Sequence, residues 1–528
     1  MSIGETLHRR EAPSTTPSSD PASAAVGPPA SEVDPLALVG SVLRVADIPQ
    51  QRRIFCNRNL RMDEIDLVGF DMDYTLAIYN QRQIETLSVE CTLEKLVGKR
   101  GYPDEILRLD YDPTFALRGL VIDRQQGNMF KMDRFGHVDR VYHGRRKLEK
   151  EQRRELYRLQ RIRLSSARYA AIDTLFALPE AVMFTRIVDF LEQRRGPGEK
   201  VPFEKLWQDI RDCIDEAHRD ESMKRVIKAH LDQYLERDPE LGATLHKFRS
   251  AGKRLFLLTN SYWDYTNHVM SWLLDGQLPA YPSWRSYFDT VVVGAQKPAF
   301  FTEKRPFIEL DADGRERGPS PPEDGPLQRG RIYQGGNIGE FEERVCAAGD
   351  SVLYIGDHIY GDMLRAKKAS VWRTAMVVQE LEQEIEAGQR MAPQLARIEE
   401  LERRRVRLDS ELIYQQQLSK SLQRLEPAEA NLPEATLEAA RCEVRDQIEH
   451  LRTALRELAR EINALETEVD RTYNPWWGAL FKVGVENSRF GEQVEDYACV
   501  YTSRVSNFVN YSPLRYFRSP RDHMPHEL

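Results

Sequence analysis

Two aspartates stand one residue apart in Asp71-Met72-Asp73, directly after a mainly apolar run at residues 65–70. Three further polar groups follow equally short apolar runs. Thr259-Asn260-Ser261 follows residues 255–258, Lys297 comes shortly after residues 291–293, and Asp357 and Asp362 follow residues 352–355. Together these residue types suit phosphate chemistry. A carboxylate can attack phosphorus and carry the phosphoryl group as an acyl phosphate. A second carboxylate can protonate the leaving oxygen and later activate water. A hydroxyl and backbone N–H groups at a helix start can hold phosphate oxygens, and a fixed lysine can oppose their charge. On this reading Asp71 is the nucleophile and Asp73 the acid and base. Thr259, Asn260, Ser261 and Lys297 hold the phosphate.

Asp71, Asp73, Asp357 and Asp362 in one pocket would need a cation. Two like charges about 4 Å apart repel by roughly 4 kcal/mol at an effective dielectric of about 20. All-oxygen ligation beside a phosphate favours Mg²⁺, with these four aspartates as its expected ligands. Each segment alone has an ordinary reading as a turn, a helix cap or a solvated loop. What joins them is that each ends an apolar run.

Continuous apolar runs suit strands buried on both faces, as in a parallel sheet covered by helices. In such an open α/β sheet the ligand crevice lies outside the carboxyl ends of the strands. Parallel strands would therefore bring Asp71, Thr259, Lys297 and Asp357 to one edge. The long stretch at residues 84–244 contains helix-like segments around residues 203–218 and 223–235. It is large enough to form a cap that excludes water and selects the substrate. From 379 to 471 the character changes. Ile448, Leu451, Leu455, Leu458, Ile462, Leu465 and Val469 recur three and four apart, the pattern of a helical seam. Ile398, Leu401, Leu408 and Leu412 form a less regular earlier arm. Pro427 and Pro433 fall between the arms, so a helical hairpin or coiled coil is expected. It would be either a surface insertion or an oligomer contact.

The expected organisation is a disordered Ser/Pro/Ala-rich tail over residues 1–35, a core built from 36–83 and 245–378, the cap, the hairpin, and an aromatic-rich segment at 472–528 that packs on the core. The 528 residues carry a formal net charge of −8, which argues against general nucleic-acid binding. No apolar run approaches the roughly 20 residues of a membrane span. Six scattered cysteines without a C-x-x-C pair read as reduced thiols rather than disulfides or a zinc site, which suits a cytoplasmic protein.

The order of these motifs resembles that of the haloacid dehalogenase-like phosphatases. Within them the chain is similar to the cytosolic purine 5′-nucleotidases that prefer IMP and GMP. The resemblance rests on residues 69–77, Thr259-Asn260-Ser261, Lys297-Pro298 with Phe300-Phe301, and residues 354–359. Arg118-Gly119-Leu120-Val121 and Met524-Pro525-His526-Glu527 add to it. It covers roughly residues 45–380 and 475–528. It implies a Rossmann-like α/β core with an inserted cap, Mg²⁺ dependence, and hydrolysis of purine nucleoside 5′-monophosphates, with a nucleoside as an alternative phosphate acceptor; a homo-oligomer is expected as well. It also implies that Phe176, Arg211, Asp215, His218 and Lys224 read the base. Arg211, Asp215 and His218 share one face of a helix, which alone would suit a solvated surface equally well. At the family's nucleotide-effector site, Arg163, Tyr360 and Gln493 match. Asp173 stands where the family has asparagine, and Asp496 where it has a basic residue. The added acidity would repel a polyphosphate, so activation by ATP is expected to be lost or changed. Two alternatives stay open: a phosphatase for another phosphomonoester, and a scaffold that acts through its coiled coil.

Overall fold

The computed structural model describes residues 47–158, 162–196, 198–317, 325–364, 370–426 and 433–527. The tail expected over residues 1–35 lies outside them. The body is built on a nine-stranded sheet. Seven of its strands are β1 (Leu67–Phe70), β2 (Arg254–Leu258), β3 (Thr290–Val293), β4 (Ile332–Gly335), β5 (Val352–Gly356), β6 (Arg373–Val377) and β7 (Val500–Thr502). They run parallel in the spatial order β7-β6-β5-β1-β2-β3-β4. Antiparallel edges close each side: Phe55–Cys56 beside β7 and Phe307–Leu310 beside β4.

The four apolar runs are thus strands β1, β2, β3 and β5, and all four of their carboxyl ends meet at one edge. Alternation along each strand divides the side chains between two cores. Val68, Phe70, Leu255, Leu257, Leu353 and Ile355 enter one. Leu67, Phe256, Leu258, Val352 and Tyr354 enter the other. Burial on both faces is why these strands read as continuous rather than alternating apolar runs. Gly69 is a packing requirement in β1, because a Cβ there would lie 2.0 Å from Cζ of Phe256.

The insertion between β1 and β2 is a cap with more sheet than expected. Its antiparallel five-stranded sheet has the order Arg146–Lys147, Val138–His143, Asn128–Met132, Leu120–Asp123, Tyr169–Ile172. Helix Leu178–Arg194 and helix α1 (Phe203–Arg219) complete it. After β2 comes helix α2 (Trp263–Leu274).

The expected hairpin consists of α3 (Ala392–Arg424) and α4 (Glu434–Tyr473), with Leu401, Leu458 and Ile462 buried between them. It begins later than residue 379. The preceding helix, Leu381–Arg390, buries Leu381 and Ala387 in the body. Pro433 caps α4, and Pro427 lies outside the described residues. The C-terminal segment does more than pack on the core, since it supplies strand β7. Among the described residues, no helix is long and apolar enough to cross a membrane.

Gly69→Ala forces a methyl group against Phe256 in the central sheet. It should lower unfolding free energy by about 1–3 kcal/mol in chemical denaturation. An unchanged denaturation midpoint would contradict the packing described.

Candidate active site

β1 delivers Asp71 to the carboxyl edge, where its backbone N–H still donates to the carbonyl of Ile355 in β5 at 2.9 Å. The chain then turns sharply. The carbonyl of Met72 accepts from the N–H groups of Thr75, Leu76 and Ala77, and Tyr74 takes a left-handed conformation at φ 55°. The alternation of an extended strand therefore stops at Phe70, and this separates the two aspartates. The carboxylate of Asp71 accepts from Lys297 Nζ at 2.9 Å and from the Met72 N–H at 2.8 Å. That of Asp73 accepts from the Tyr79 hydroxyl at 2.6 Å and from the Ser261 hydroxyl at 2.8 Å. The Tyr79 hydroxyl lies 2.9 Å from that of Tyr265.

Asp71, Asp357 and Asp362 form one buried group whose ligand oxygens all lie within 4.8 Å of one another. Asp73 was expected in this group as a metal ligand, but its side chain is turned toward Tyr79 and Ser261 instead. Gly356 makes the group possible, because a Cβ there would come 2.6 Å from Oδ2 of Asp362. Lys297 Nζ sits 2.7 Å from Oδ1 of Asp362 and 2.9 Å from the hydroxyl of Tyr354. Burial pulls the lysine's pKa down, but Asp362 and Asp71 outweigh it and hold the lysine charged.

Among the described residues, Lys297 is the cation in direct contact with this group of carboxylates, through Asp71 and Asp362. Burial, and then the repulsion of Asp362 and Asp73 against the pull of Lys297, pushes Asp71 up to about 7. Burial together with Asp362 and Asp71 pushes Asp357 well above the usual carboxylate range. Among the described residues, Oδ2 of Asp357 is buried and has no hydrogen-bond partner. An oxygen left unpaired in such a place is costly. Three carboxylates with an unpaired inner oxygen fit a hard divalent cation.

Thr259 and Ser261 line the same edge. The Thr259 side-chain oxygen accepts from the Ser261 N–H at 3.1 Å. Asn260 has a role the spacing did not reveal: its amide grips the backbone of Lys297. It donates to the Lys297 carbonyl at 3.0 Å and accepts from the Lys297 N–H at 2.6 Å. Arg118, noted in the sequence only as part of a motif, reaches the carbonyl of Asp357 at 3.0 Å. It also holds Glu380 through two hydrogen bonds at 2.7 and 2.5 Å. An arginine from the cap thus fixes the loop of a core carboxylate.

The residues expected to read a base gather above Asp73. The Phe176 ring packs edge-on to Tyr74 with centroids 4.6 Å apart, and to His218 at 5.9 Å. Burial and the nearby Lys224 lower the His218 pKa and favour the neutral ring. The Lys224 ammonium stands 5.5 Å from the ring centre of Tyr265. Arg211 is held by a partner the sequence reading missed, since Glu180 accepts from it at 2.6 and 2.7 Å. Burial raises Glu180 to about 7 against the opposing effect of Arg211. Asp215 lies 3.7 Å from Arg211 and is exposed. A sequence signal for Glu180 existed in retrospect: an acid in the first turn of the helix that follows Phe176. Of the implied effector positions, Arg163 is exposed and Gln493 buried, while Asp173 lies 3.8 Å from His358 beside Asp357. The Tyr360 side chain is outside the described residues.

Residues 54–528 match the 5′ nucleotidase family. The chain belongs to that family. It is 30% identical over 483 residues to a 5′-nucleotidase domain-containing protein of Dictyostelium discoideum, covering 90% of this chain and 75% of the relative. It is 28% identical over 486 residues to 5′-nucleotidase domain-containing protein 2 of Rattus norvegicus, covering 90% and 80%. Among solved structures it is similar to CbbY from Rhodobacter sphaeroides in complex with phosphate, at 13% identity and a TM-score of 0.22. That match covers 59% of this chain and 86% of the other. A similarity this distant carries no argument about the site. The enzyme is a phosphatase of the 5′-nucleotidase type.

Asn260→Ala removes both contacts that fix the Lys297 backbone while leaving the lysine itself in place. Turnover should fall by about tenfold to a hundredfold, the effect of a small misplacement of a catalytic group. Unchanged steady-state turnover would contradict this positioning role.

Proposed function

We propose that the enzyme hydrolyses purine nucleoside 5′-monophosphates through a phosphoryl group carried on Asp71. The supporting observation is the buried group of Asp71, Asp357 and Asp362 around Lys297, with Asp73 held apart by hydroxyls. Asp71, Asp357 and Asp362 would hold Mg²⁺, which when bound supplies positive charge against the phosphate. Lys297 opposes the same charge from the protein side. The Thr259 hydroxyl and the N–H groups near Asn260 and Ser261 receive phosphate oxygens.

The Asp71 carboxylate forms a bond to phosphorus as the bond from phosphorus to the nucleoside 5′-oxygen breaks. Asp73 gives its proton to that leaving oxygen. Tyr79 and Ser261 fix the orientation of Asp73 for this transfer. In the second half Asp73 takes a proton from water, the water oxygen bonds to phosphorus, and the acyl-phosphate bond breaks to return Asp71. A nucleoside hydroxyl in place of that water would give phosphate transfer.

The purine reading rests on the flat surface offered by Phe176 and on polar groups beside it. Arg211, pre-positioned by Glu180, can donate to a purine's carbonyl edge, and Asp215 can accept from a ring N–H. Neutral His218 and Lys224 complete the wall. The resemblance to IMP- and GMP-preferring enzymes supports the same choice.

Phosphate release should be measured from IMP, GMP, AMP, UMP and a sugar phosphate, with Mg²⁺ and with chelator. The 6-oxopurine nucleotides should be preferred and chelation should abolish release. Preference for the sugar phosphate would reject the nucleotide reading. Asp71→Asn should lose all turnover with its fold intact, and near-normal activity in that variant would remove the nucleophile assigned here. Mg²⁺ should also stabilise the protein without substrate. At about a hundredfold over Kd the gain is about 2.7 kcal/mol, read as a rise in Tm. Asp357→Asn should lose most of that rise, and an equal rise in the variant would exclude Asp357 as a ligand.

A further inference from the structure

The cap sheet carries a second charged site that shares no residue with the phosphate or base sites. The turn between strands Asn128–Met132 and Val138–His143, the helix Lys150–Tyr157 and the start of helix Arg489–Tyr497 enclose a cleft of about 680 Å³. Arg134, Lys150, Arg153, Arg154, Arg158 and Arg489 line it, and among the described residues no carboxylate does. This concentration runs against a chain whose net charge is −8.

Three of these cations are already compensated. Arg153 lies 3.6 Å from Asp139, Arg134 lies 3.6 Å from Glu495, and Arg489 pairs with Glu492. The other three, Lys150, Arg154 and Arg158, are exposed and carry no ion pair among the described residues. Glu151 and Glu155 of the same helix are absent from the cleft lining. Spaced four residues apart, the three cations stack along one side of the helix over about 12 Å. Like charges at that spacing repel each other. A single phosphate is too small to meet all three, whereas a chain of linked phosphates can lie along them. Phe135 stands in the same lining at 77% exposure, with the Arg134 guanidinium 5.8 Å from its ring centre. An exposed aromatic ring beside cations can also receive a flat base. The cleft volume falls in the usual range for small-molecule sites.

We propose that this cleft binds an oligophosphate, either free or as the phosphate tail of a nucleoside triphosphate. Its lining differs from the effector positions implied by the family resemblance: Ile162 and Leu164 line it but Arg163 between them does not, nor do Asp173 and Gln493.

Calorimetric titration of the full-length protein with tripolyphosphate, orthophosphate and ATP tests the proposal. It is done without divalent cation, so that the buried carboxylates of the catalytic group repel anions. Tripolyphosphate should bind at least about tenfold more tightly than orthophosphate, and Arg154→Ala/Arg158→Ala should weaken it by about tenfold or more. Both positions are exposed, and the double variant should keep its circular dichroism spectrum and its turnover of nucleoside monophosphate. Equal tripolyphosphate affinity in wild type and double variant overturns the proposal. So does loss of binding in Arg163→Ala with none in the double variant, which would put the ligand at the effector positions. Tighter binding of ATP than of tripolyphosphate, cancelled by Phe135→Ala, assigns the site to a nucleotide. Equal affinities, unaffected by Phe135→Ala, assign it to the phosphate chain alone.

Discussion

Three carboxylates buried around one lysine are the constraint on which the rest of this structure depends. Asp71, Asp357 and Asp362 lie close enough to repel, and Lys297 neutralises only part of their charge. Such an arrangement persists only if the surrounding fold holds it in place. Here the holding is done by backbone and second-layer contacts: Tyr354 and Asn260 fix the lysine, Arg118 fixes the Asp357 loop, and Gly356 leaves room for Asp362. Among the described residues the inner oxygen of Asp357 is buried without a hydrogen-bond partner, which suits it to a cation ligand. A phosphatase gains from this imbalance. A site that attracts a cation, and through it a phosphate, is pre-organised for the charge that develops during phosphoryl transfer.

The parallel sheet is what makes the cluster possible from segments far apart in the chain. β1, β5, β2 and β3 end at one edge, so residues 71, 357, 259 and 297 become neighbours. The cap is tied to the same edge at two places. Arg118 enters the core loop directly, and Phe176 packs edge-on to Tyr79, whose hydroxyl reaches Asp73 and Tyr265. In the proposed mechanism, substrate selection and proton transfer at Asp73 would therefore share one connected set of side chains.

Much of this was legible in the sequence, and for a clear reason. Strands buried on both faces leave continuous apolar runs, and the residue after each run is placed by the sheet itself. The four strands and their terminal groups could be read for that reason, as could the α4 seam with its regular spacing. What escaped the reading depends on tertiary partners. β7 is three residues long and β4 ends in Gln334-Gly335, too short and too polar to stand out. The cap's antiparallel sheet lies within a charged stretch where buried groups such as Lys131 and Asp123 mask the strand pattern. Glu180 as the partner of Arg211, and Arg118 as the partner of Glu380, join residues too distant in sequence for spacing to reveal. The side chain of Asp73 turns away from the buried carboxylates for a local reason: the chain turns around Met72 directly after β1, which spacing along the sequence does not show.

The central claim is that Asp71 carries the phosphoryl group. The direct measurement is acid quenching during turnover of a nucleoside monophosphate labelled in its phosphate, followed by peptide mapping of the protein. The account predicts label on the peptide containing Asp71, released by hydroxylamine as an acyl phosphate should be. Label on a histidine or serine peptide, or turnover with no labelled protein at any quench time in a variant slowed at Asp73, would contradict it.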